Sequence, residues 1–330
     1  MNTQSSSLGE FDLIRRFFAD KTQPSSSLVL GIGDDCALLQ PAPGQQLAIS
    51  TDMLLEGRHF LPDINPTALG HKALAVNLSD LAAMGAQPLG FTLAIALPAA
   101  RAADTAWLDA FSDGLLALAH AHHCPLVGGD TTQGPLSLSL TVLGQVPAGQ
   151  ALRRDGARAG DDIWVSGCLG QARLALGALR GEWPLPENIL TQVRPHLERP
   201  APRLALGQAL RGLVHSAIDI SDGLAGDLGH ILRASNLGAQ IDATALLQLV
   251  GHEDLFEPAT RLDLALRGGD DYELAFSAAA QARPHILEAS RHCGIPVTRI
   301  GTMEQAPGLR LQQADGRIQP LSARAFDHFA

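Results

Sequence analysis

Gly31-Ile32-Gly33-Asp34-Asp35-Cys36-Ala37-Leu38-Leu39 follows a short apolar run at residues 28–30 and places two glycines and two adjacent carboxylates directly after it. The apolar run predicts a buried strand, and the glycines allow a sharp turn or a close approach of the backbone to a ligand. Two unpaired carboxylates about 4 Å apart repel by roughly 4 kcal/mol at an effective dielectric constant near 20. A hard cation such as Mg²⁺ removes that cost. The segment alone fits two interpretations, a solvated Gly-Asp turn and a magnesium site.

The same combination of strand, glycine, aspartate and hydroxyl residues recurs along the chain. It occurs in full or in part at residues 31–35, 50–52, 128–132, 219–223 and 268–273. Ser50-Thr51-Asp52 is predicted at the carboxyl end of a strand over residues 47–50, and residues 128–132 are predicted to follow a strand that ends at Val127. Repetition favours a convergent set of oxygen ligands for several Mg²⁺ ions, and through them for a polyphosphate.

The length of 330 residues predicts two domains, because single hydrophobic cores stop growing at about 250–300 residues. We expect the boundary in the loop at residues 147–149, which gives an N-terminal domain of residues 1–149 and a C-terminal domain of residues 150–330. Helical patterns at residues 10–18, 67–84 and 104–122 alternate with strand patterns, and residues 183–202 are predicted to be a proline-rich linker. The alternation predicts an α/β (α+β) chain with mixed sheets packed against helices.

Composition excludes several classes of function. The formal net charge is −10, and Lys21 and Lys72 are the only lysines, so no basic surface for nucleic acid is predicted. The four cysteines form no CxxC pair, which is typical of a reduced, cytoplasmic setting. Neither a signal peptide nor an apolar run of about 18 residues is found, so no membrane association is expected.

The common nucleotide-binding motifs are absent. The chain contains no GxxxxGK[ST] loop, its GxG at residues 31–33 lacks the third glycine of a dinucleotide fold, and it has no HRD or DFG motif. His120, His122 and His123 lie near a predicted helix end, where a cation suits the helix dipole. His59 follows the Asp52 segment, from which it could reach a bound anion.

Several longer segments together resemble the thiamine-monophosphate kinases, a family within the aminoimidazole-ribonucleotide synthetase-like superfamily. The resemblance covers essentially the whole chain. It rests on residues 31–37, 50–52, 57–60, 72–85, 128–132, 221–224, 269–274 and 326–329, in that order.

The resemblance implies a two-domain aminoimidazole-ribonucleotide synthetase-like fold, with ATP and Mg²⁺ bound by the N-terminal domain and the C-terminal domain completing the nucleotide and substrate site. It implies direct in-line phosphoryl transfer from ATP to thiamine monophosphate, which gives thiamine diphosphate, in a homodimer that binds several Mg²⁺ ions. No general base is implied. The implied metal ligands are Asp35, Ser50, Thr51, Asp52, Asp80, Asp130, Asp219 and Asp222. The implied ATP contacts are Gly129, Asp130, Arg154 and Ser221, and the implied thiamine monophosphate contacts are His59, Asp270 and Phe326.

One position departs from the family pattern. The family usually has glutamate where this chain has Asp270, so the carboxylate keeps its charge and loses one methylene of reach. The alternatives to the kinase are another ATP-using enzyme of the superfamily, such as selenophosphate synthetase or aminoimidazole-ribonucleotide synthetase, and a non-catalytic nucleotide-binding regulator. Residues 1–25 contain no cysteine, which disfavours selenophosphate synthetase.

Overall fold

The computed structural model describes residues 9–322. The chain divides into two compact units. Unit 1 comprises Met1–Leu81 and Gln87–Ala148, and unit 2 comprises Ala82–Ala86 and Gly149–Ala330.

Unit 1 is built around a sheet of four strands, in the order β3-β6-β4-β5 within the described residues. The strands of unit 1 are β1 (Leu28–Leu30), β2 (Leu38–Leu39), β3 (Gln45–Leu55), β4 (Gln87–Leu97), β5 (Leu126–Gln133) and β6 (Ser137–Pro147). The helices are α1 (Glu10–Phe17), α2 (Pro66–Ala83, whose last two residues belong to unit 2), α3 (Ala99–Ala102) and α4 (Thr105–Ala121). β4 and β5 run parallel, whereas β6 pairs antiparallel with both β3 and β4.

Helices α2 and α4 pack closely because glycines face the neighbouring backbone. A Cβ atom at Gly70 would lie 2.1 Å from the Phe111 carbonyl oxygen, and one at Gly114 would lie 1.9 Å from the Thr67 carbonyl oxygen. Real Cβ atoms do not approach that closely, so each position requires glycine. α4 begins where Asp104 accepts the Trp107 N–H at 3.0 Å, as expected of an N-cap residue.

Three strand predictions for unit 1 were wrong in detail. β1 is not buried, since Val29 is 65% exposed, and within the described residues it pairs only with β2. Residues 50–52 lie in the middle of β3, and residues 128–132 lie within β5. Both segments are strand because long partners, β6 and β4, supply a hydrogen-bonded ladder that overrides the low strand propensity of their glycine and aspartate residues.

Unit 2 contains a sheet of seven strands in the order β13-β12-β9-β11-β7-β10-β8, counted over the described part of the chain. Its strands are β7 (Asp162–Ser166), β8 (Ser216–Ile220), β9 (Gly238–Asp242), β10 (Glu273–Ala278), β11 (Val297–Glu304), β12 (Gly308–Gln312) and β13 (Ile318–Leu321). Its helices are α5 (Gln171–Leu179), α6 (Glu187–Glu198), α7 (Leu204–Ala209), α8 (Leu224–Ser235), α9 (Ala243–Val250), α10 (Pro258–Arg267) and α11 (Arg283–Cys293). The sheet is mixed, because β12 and β9 are parallel while the other pairs are antiparallel.

The predicted linker at residues 183–202 was also wrong, since it contains the twelve-residue helix α6. Val193 and Leu197 of this helix are buried in the core of unit 2. Pro195 lies inside this helix, and a proline at such a position in the sequence favours the prediction of a linker. The helix forms nevertheless because burial of its apolar face stabilises it. Across residues 9–322, no helix is both long enough and apolar enough to cross a membrane.

Candidate active site

Strand β3 and helix α2 bring three of the predicted ligand residues together in unit 1. The Ser50 hydroxyl donates a hydrogen bond to the Asp80 carboxylate, and the Asp52 backbone N–H donates to the Asn77 side-chain oxygen at 3.1 Å. Asn77 and Asp80 are three residues apart on α2, so both face β3. Ser50, Asp52 and Asp80 therefore form one cluster, which we call the β3–α2 cluster.

Thr51 is directed to the opposite face of the sheet, because successive side chains of a strand alternate. Its hydroxyl oxygen lies 2.8 Å from the Thr141 hydroxyl oxygen on β6. The structure therefore does not bring the Thr51 side chain to the β3–α2 cluster.

The loop that follows β1 carries the two adjacent carboxylates. The Asp34 carboxylate accepts the Asp35 backbone N–H at 2.8 Å, so Asp34 caps its own turn. Gly33 adopts a φ of 126° in open space, where a Cβ atom would meet nothing within 4 Å. The backbone conformation requires glycine here, and it leaves the Asp35 side chain exposed.

A pocket of about 560 Å³ in unit 1 collects three predicted site residues, Asp35, Gly129 and Asp130. Leu93, Ile95, Leu126 and Val127 of β4 and β5, together with side chains of α1, line its apolar part. Among residues 9–322, the charged residues lining the pocket are Glu10, Asp34, Asp35 and Asp130, and no lysine, arginine or histidine lines it. An anionic ligand would need a cation at this acidic wall.

His59 has a fixed ring orientation. Its Nδ1 accepts the Leu55 backbone N–H at 3.0 Å, so the neutral ring carries its proton on Nε2. That proton is a hydrogen-bond donor suited to a phosphate oxygen. Sequence alone placed His59 near an anion and did not indicate which nitrogen would donate.

In unit 2, the loops at residues 221–223 and 268–272 are joined through their backbones. The Asp270 N–H donates to the Ser221 carbonyl oxygen at 2.8 Å, and the Tyr272 N–H donates to the Ile220 carbonyl oxygen at 2.7 Å. The Tyr272 hydroxyl donates to the Asp270 carboxylate at 3.1 Å. Predicted nucleotide, metal and substrate residues of unit 2 therefore lie side by side.

The other predicted residues of unit 2 lie at or near these loops. Asp219 is buried in β8 opposite Leu274 of β10. Arg154 and Asp222 both act electrostatically on Asp227 and on His230, which places all four groups in one neighbourhood. Phe326 lies outside the described residues, so its predicted role is not addressed by the structure.

Two carboxylates of unit 2, Asp227 and Asp271, are not among the site residues predicted from the sequence. Asp227 accepts the backbone N–H groups of Ser221 and Asp222, both at 3.0 Å, and burial raises its pKa to about 7. Asp271 accepts the Gly170 N–H at 2.9 Å, and burial raises the pKa of this carboxyl well above its ordinary value. An aspartate in the first turn of α8 was the available signal for Asp227, but first-turn acids are common for electrostatic reasons alone.

The donor set fits a hard metal ion in its chemistry, because every predicted ligand offers oxygen. Within residues 9–322 no group of three or more His, Cys, Asp and Glu side chains is arranged to hold a metal. The β3–α2 cluster contributes two carboxylates and one hydroxyl, and the pocket contributes Asp35 and Asp130. A nucleophilic cysteine is not indicated at Cys168, because burial raises the pKa of its thiol to about 12.

Two family models match the chain. AIR synthase related protein, N-terminal domain, matches residues 33–146, and AIR synthase related protein, C-terminal domain, matches residues 160–313. The glycine and aspartate segments described above lie largely within these matches. The chain is thus an AIR synthase related protein with both domains of that class.

Individual relatives are more specific. Thiamine-monophosphate kinase of Escherichia coli (strain K12) is 47% identical over 325 residues, covering 98% of this chain and 98% of the relative. The crystal structure of thiamine-monophosphate kinase from Stenotrophomonas maltophilia K279a matches with 46% identity and a TM-score of 0.84, covering 94% of this chain and 98% of that one. The structure of AaThiL complexed with AMPPCP and TMP matches with 26% identity and a TM-score of 0.75 over 100% of both chains.

The chain belongs to the thiamine-monophosphate kinase family. The sequence-based predictions of the family, of the α/β fold of the aminoimidazole-ribonucleotide synthetase type, and of a phosphotransferase with a phosphate acceptor are confirmed.

Proposed function

We propose that the protein transfers the terminal phosphoryl group of ATP to the phosphate of thiamine monophosphate, which gives thiamine diphosphate and ADP. The observation that carries the proposal is the similarity over the whole chain to AaThiL, which is described in complex with AMPPCP, an ATP analogue, and TMP. The predicted acidic and hydroxyl residues of this family are all present in the chain.

The chemistry of the acceptor explains why no general base is needed. A phosphate monoester has a second pKa near 6, so its attacking oxygen is already ionised at pH 7. The remaining barrier is the repulsion between two anions, and phosphoryl transfer depends mainly on positioning and electrostatic stabilisation. We propose direct in-line transfer for this reason.

Magnesium ions, when bound, would neutralise the phosphate oxygens and hold the two anions in line. We propose that Asp35, Asp130 and the β3–α2 cluster (Ser50, Asp52 and Asp80) bind these ions in unit 1, and that Asp219 and Asp222 are metal ligands in unit 2. Thr51 is proposed as a metal ligand only because the family resemblance implies this role. The acidic pocket has no basic lining residue in the part of the chain that the structure describes, and this supports a metal-dependent site.

Nucleotide and substrate contacts are proposed for the residues that the family resemblance implies. Gly129, Arg154 and Ser221 would contact ATP, and His59 and Asp270 would contact thiamine monophosphate. The Nε2 proton of His59 and the closeness of Asp270 to the Ser221 loop support this division. We also propose a cytoplasmic location, which agrees with a requirement for ATP.

We propose that the protein forms a homodimer through the exposed face of β3. Leu47, Ile49, Met53 and Leu55 alternate along this edge strand and are exposed on the face opposite α2. An exposed apolar stripe of this kind is typical of a protein interface, and a second copy of the chain would supply a matching face.

The test is a measurement of both products. Purified protein is incubated with ATP, Mg²⁺ and thiamine monophosphate, and thiamine diphosphate and ADP are quantified, with parallel reactions that contain free thiamine or EDTA. The proposal expects equal amounts of the two products, and neither in the parallel reactions. Intact ATP binding without thiamine diphosphate would instead support a nucleotide-binding regulator or another enzyme of the superfamily.

A further inference from the structure

Asp227 is a buried carboxylate with no contact assigned to it by the proposed reaction. It lies in the first turn of α8 and is 3% exposed. One of its oxygens, Oδ2, accepts the N–H groups of both Ser221 and Asp222 at 3.0 Å. These are the residues proposed to contact ATP and metal.

The turn that Asp227 holds is confined on its other side. Gly223 has a φ of 98°, and a Cβ atom there would lie 2.9 Å from the backbone of Arg267. The N-cap residue of α8 is Gly223, which has no side chain that could accept a backbone N–H of the first turn. Asp227 therefore supplies the acceptor that two N–H groups of this enclosed turn require, since partly buried backbone donors are costly to leave unsatisfied.

The turn is also the support of the neighbouring loop. The Ser221 carbonyl oxygen accepts the Asp270 N–H at 2.8 Å, and the next residue but one, Tyr272, donates its N–H to Ile220. Asp270 and Tyr272 both have positive φ angles, of 65° and 50°, which are conformations that persist only where the surroundings enforce them. A change in the Ser221–Asp222 backbone would therefore be transmitted to Asp270.

We propose that Asp227 is a positioning residue: it fixes the turn at residues 221–223 so that the Ser221 hydroxyl and the Asp222 carboxylate are presented in one geometry before ligands bind. The expected changes in Mg²⁺ requirement and in KM for ATP rest on the proposed function. The expected loosening of the turn does not. Asp227 acts through the two N–H groups and touches neither nucleotide nor acceptor.

The decisive variants are Asp227→Ala, Asp227→Leu and Asp227→Asn. Alanine and leucine remove the acceptor, and leucine also keeps most of the side-chain volume in case the alanine variant folds poorly. Asparagine keeps an oxygen that can occupy the place of Oδ2 and accept both N–H groups. We expect the alanine or leucine variant to require about tenfold or more Mg²⁺ for its half-maximal rate and to show a raised KM for ATP, and we expect asparagine to restore most of both.

A matched control is available in Asp161→Ala. Asp161 is also 3% exposed in unit 2 and accepts a backbone N–H, that of Arg158, at 2.8 Å. It contacts Ser277, which pairs with Ser216 at the end of β8 away from residues 221–223. We expect this variant to lower the melting temperature without changing the Mg²⁺ requirement.

Hydrogen exchange tests the same inference without turnover. In the ligand-free protein, a peptide covering residues 219–224 should exchange faster in Asp227→Leu than in the wild type, the asparagine variant should resemble the wild type, and Asp161→Ala should leave this peptide unchanged. A folded Asp227→Leu variant with unchanged exchange and an unchanged Mg²⁺ requirement would overturn the inference. If the protein made no thiamine diphosphate at all, the exchange result would still decide whether Asp227 holds the turn.

Discussion

At the scale of single residues, the acidic pocket of unit 1 explains how an acidic chain could hold two anions. Asp35 and Asp130 line this pocket, and none of the described lysine, arginine or histidine side chains lines it. The proposed dependence on Mg²⁺ follows from these two carboxylates more directly than from the overall charge. The roles of Asp35 and Asp130 can therefore be tested one residue at a time.

Asp130→Asn should reduce the rate of thiamine diphosphate formation by on the order of 10²-fold, because it removes one charge that stabilises the transferring group through a metal. Asp130 is exposed, so the melting temperature should change little. Initial rates over a range of Mg²⁺ concentrations check both points, with partial recovery at high Mg²⁺. The exposed Asp254→Asn in unit 2 is the control, and an unchanged rate for Asp130→Asn would remove Asp130 from the proposed site.

Asp270 shows how a departure from the family can suit local geometry. Its φ of 65° is in the left-handed region, which aspartate and asparagine tolerate better than longer side chains do. Asp270→Asn should keep the loop conformation and remove the charge. We expect a raised KM for thiamine monophosphate with an unchanged KM for ATP, and a smaller effect in the same direction for Tyr272→Phe. Equal changes in both KM values would contradict a substrate-specific contact.

At the scale of elements, the parallel pairing of β4 and β5 depends on one glycine. A Cβ atom at Gly129 would lie 1.9 Å from the Leu93 carbonyl oxygen, whereas one at Gly128 would come no closer than 3.8 Å to the Thr92 side chain. Gly129→Ala should therefore separate the strands and destabilise unit 1, and Gly128→Ala should be tolerated. Thermal unfolding of the two variants makes this comparison, and equal melting temperatures would contradict it.

Asp162 links β7 to α11 and β11 through Arg283 and Arg299. Burial alone would raise the pKa of this carboxyl, but the two guanidinium groups outweigh burial and lower it. The ion pairs therefore add stability above the unfolded-state pKa, and this stability is lost as the pH falls through the lower folded-state pKa.

Asp162→Asn should consequently lower the free energy of unfolding by about 1–3 kcal/mol at pH 7. The difference from the wild type should shrink below the ordinary aspartate pKa of 3.8. Urea unfolding at several pH values measures this. Asp155→Asn, which removes an exposed pair with Arg153, should show little effect, and a pH-independent loss in Asp162→Asn would contradict the ion-pair explanation.

At the scale of the whole molecule, the exposed stripe on β3 predicts self-association. Ile49 is 62% exposed in the middle of this stripe, and Ile49→Lys would place a charge in the proposed interface. We expect the wild type to sediment as a dimer and this variant as a monomer, while Leu287→Lys, at an exposed position on α11, should stay dimeric. A dimeric Ile49→Lys protein would exclude this face as the interface.

The class of several elements could be predicted from the sequence, because it depends on local patterns. Helices α1, α2 and α4 and strands β6, β7, β8 and β10 have periodicities and boundary residues that are visible in the chain itself. The eight segments that resemble the thiamine-monophosphate kinases were together sufficient to indicate the family and a phosphotransferase. These signals are local in sequence, so no knowledge of the fold was needed to recognise them.

Pairing and burial depended on the tertiary structure. Ser50–Asp52 and Gly128–Thr132 are strand because β6 and β4 pair with them, and α6 is a helix because the core of unit 2 buries its apolar face. The same is true of the site: Thr51 turns away from Ser50 by strand alternation, and Asp227 reaches Ser221 only when α8 is formed. Sequence determined which groups the protein has available, and the long-range hydrogen bonds of the fold decided which of them meet.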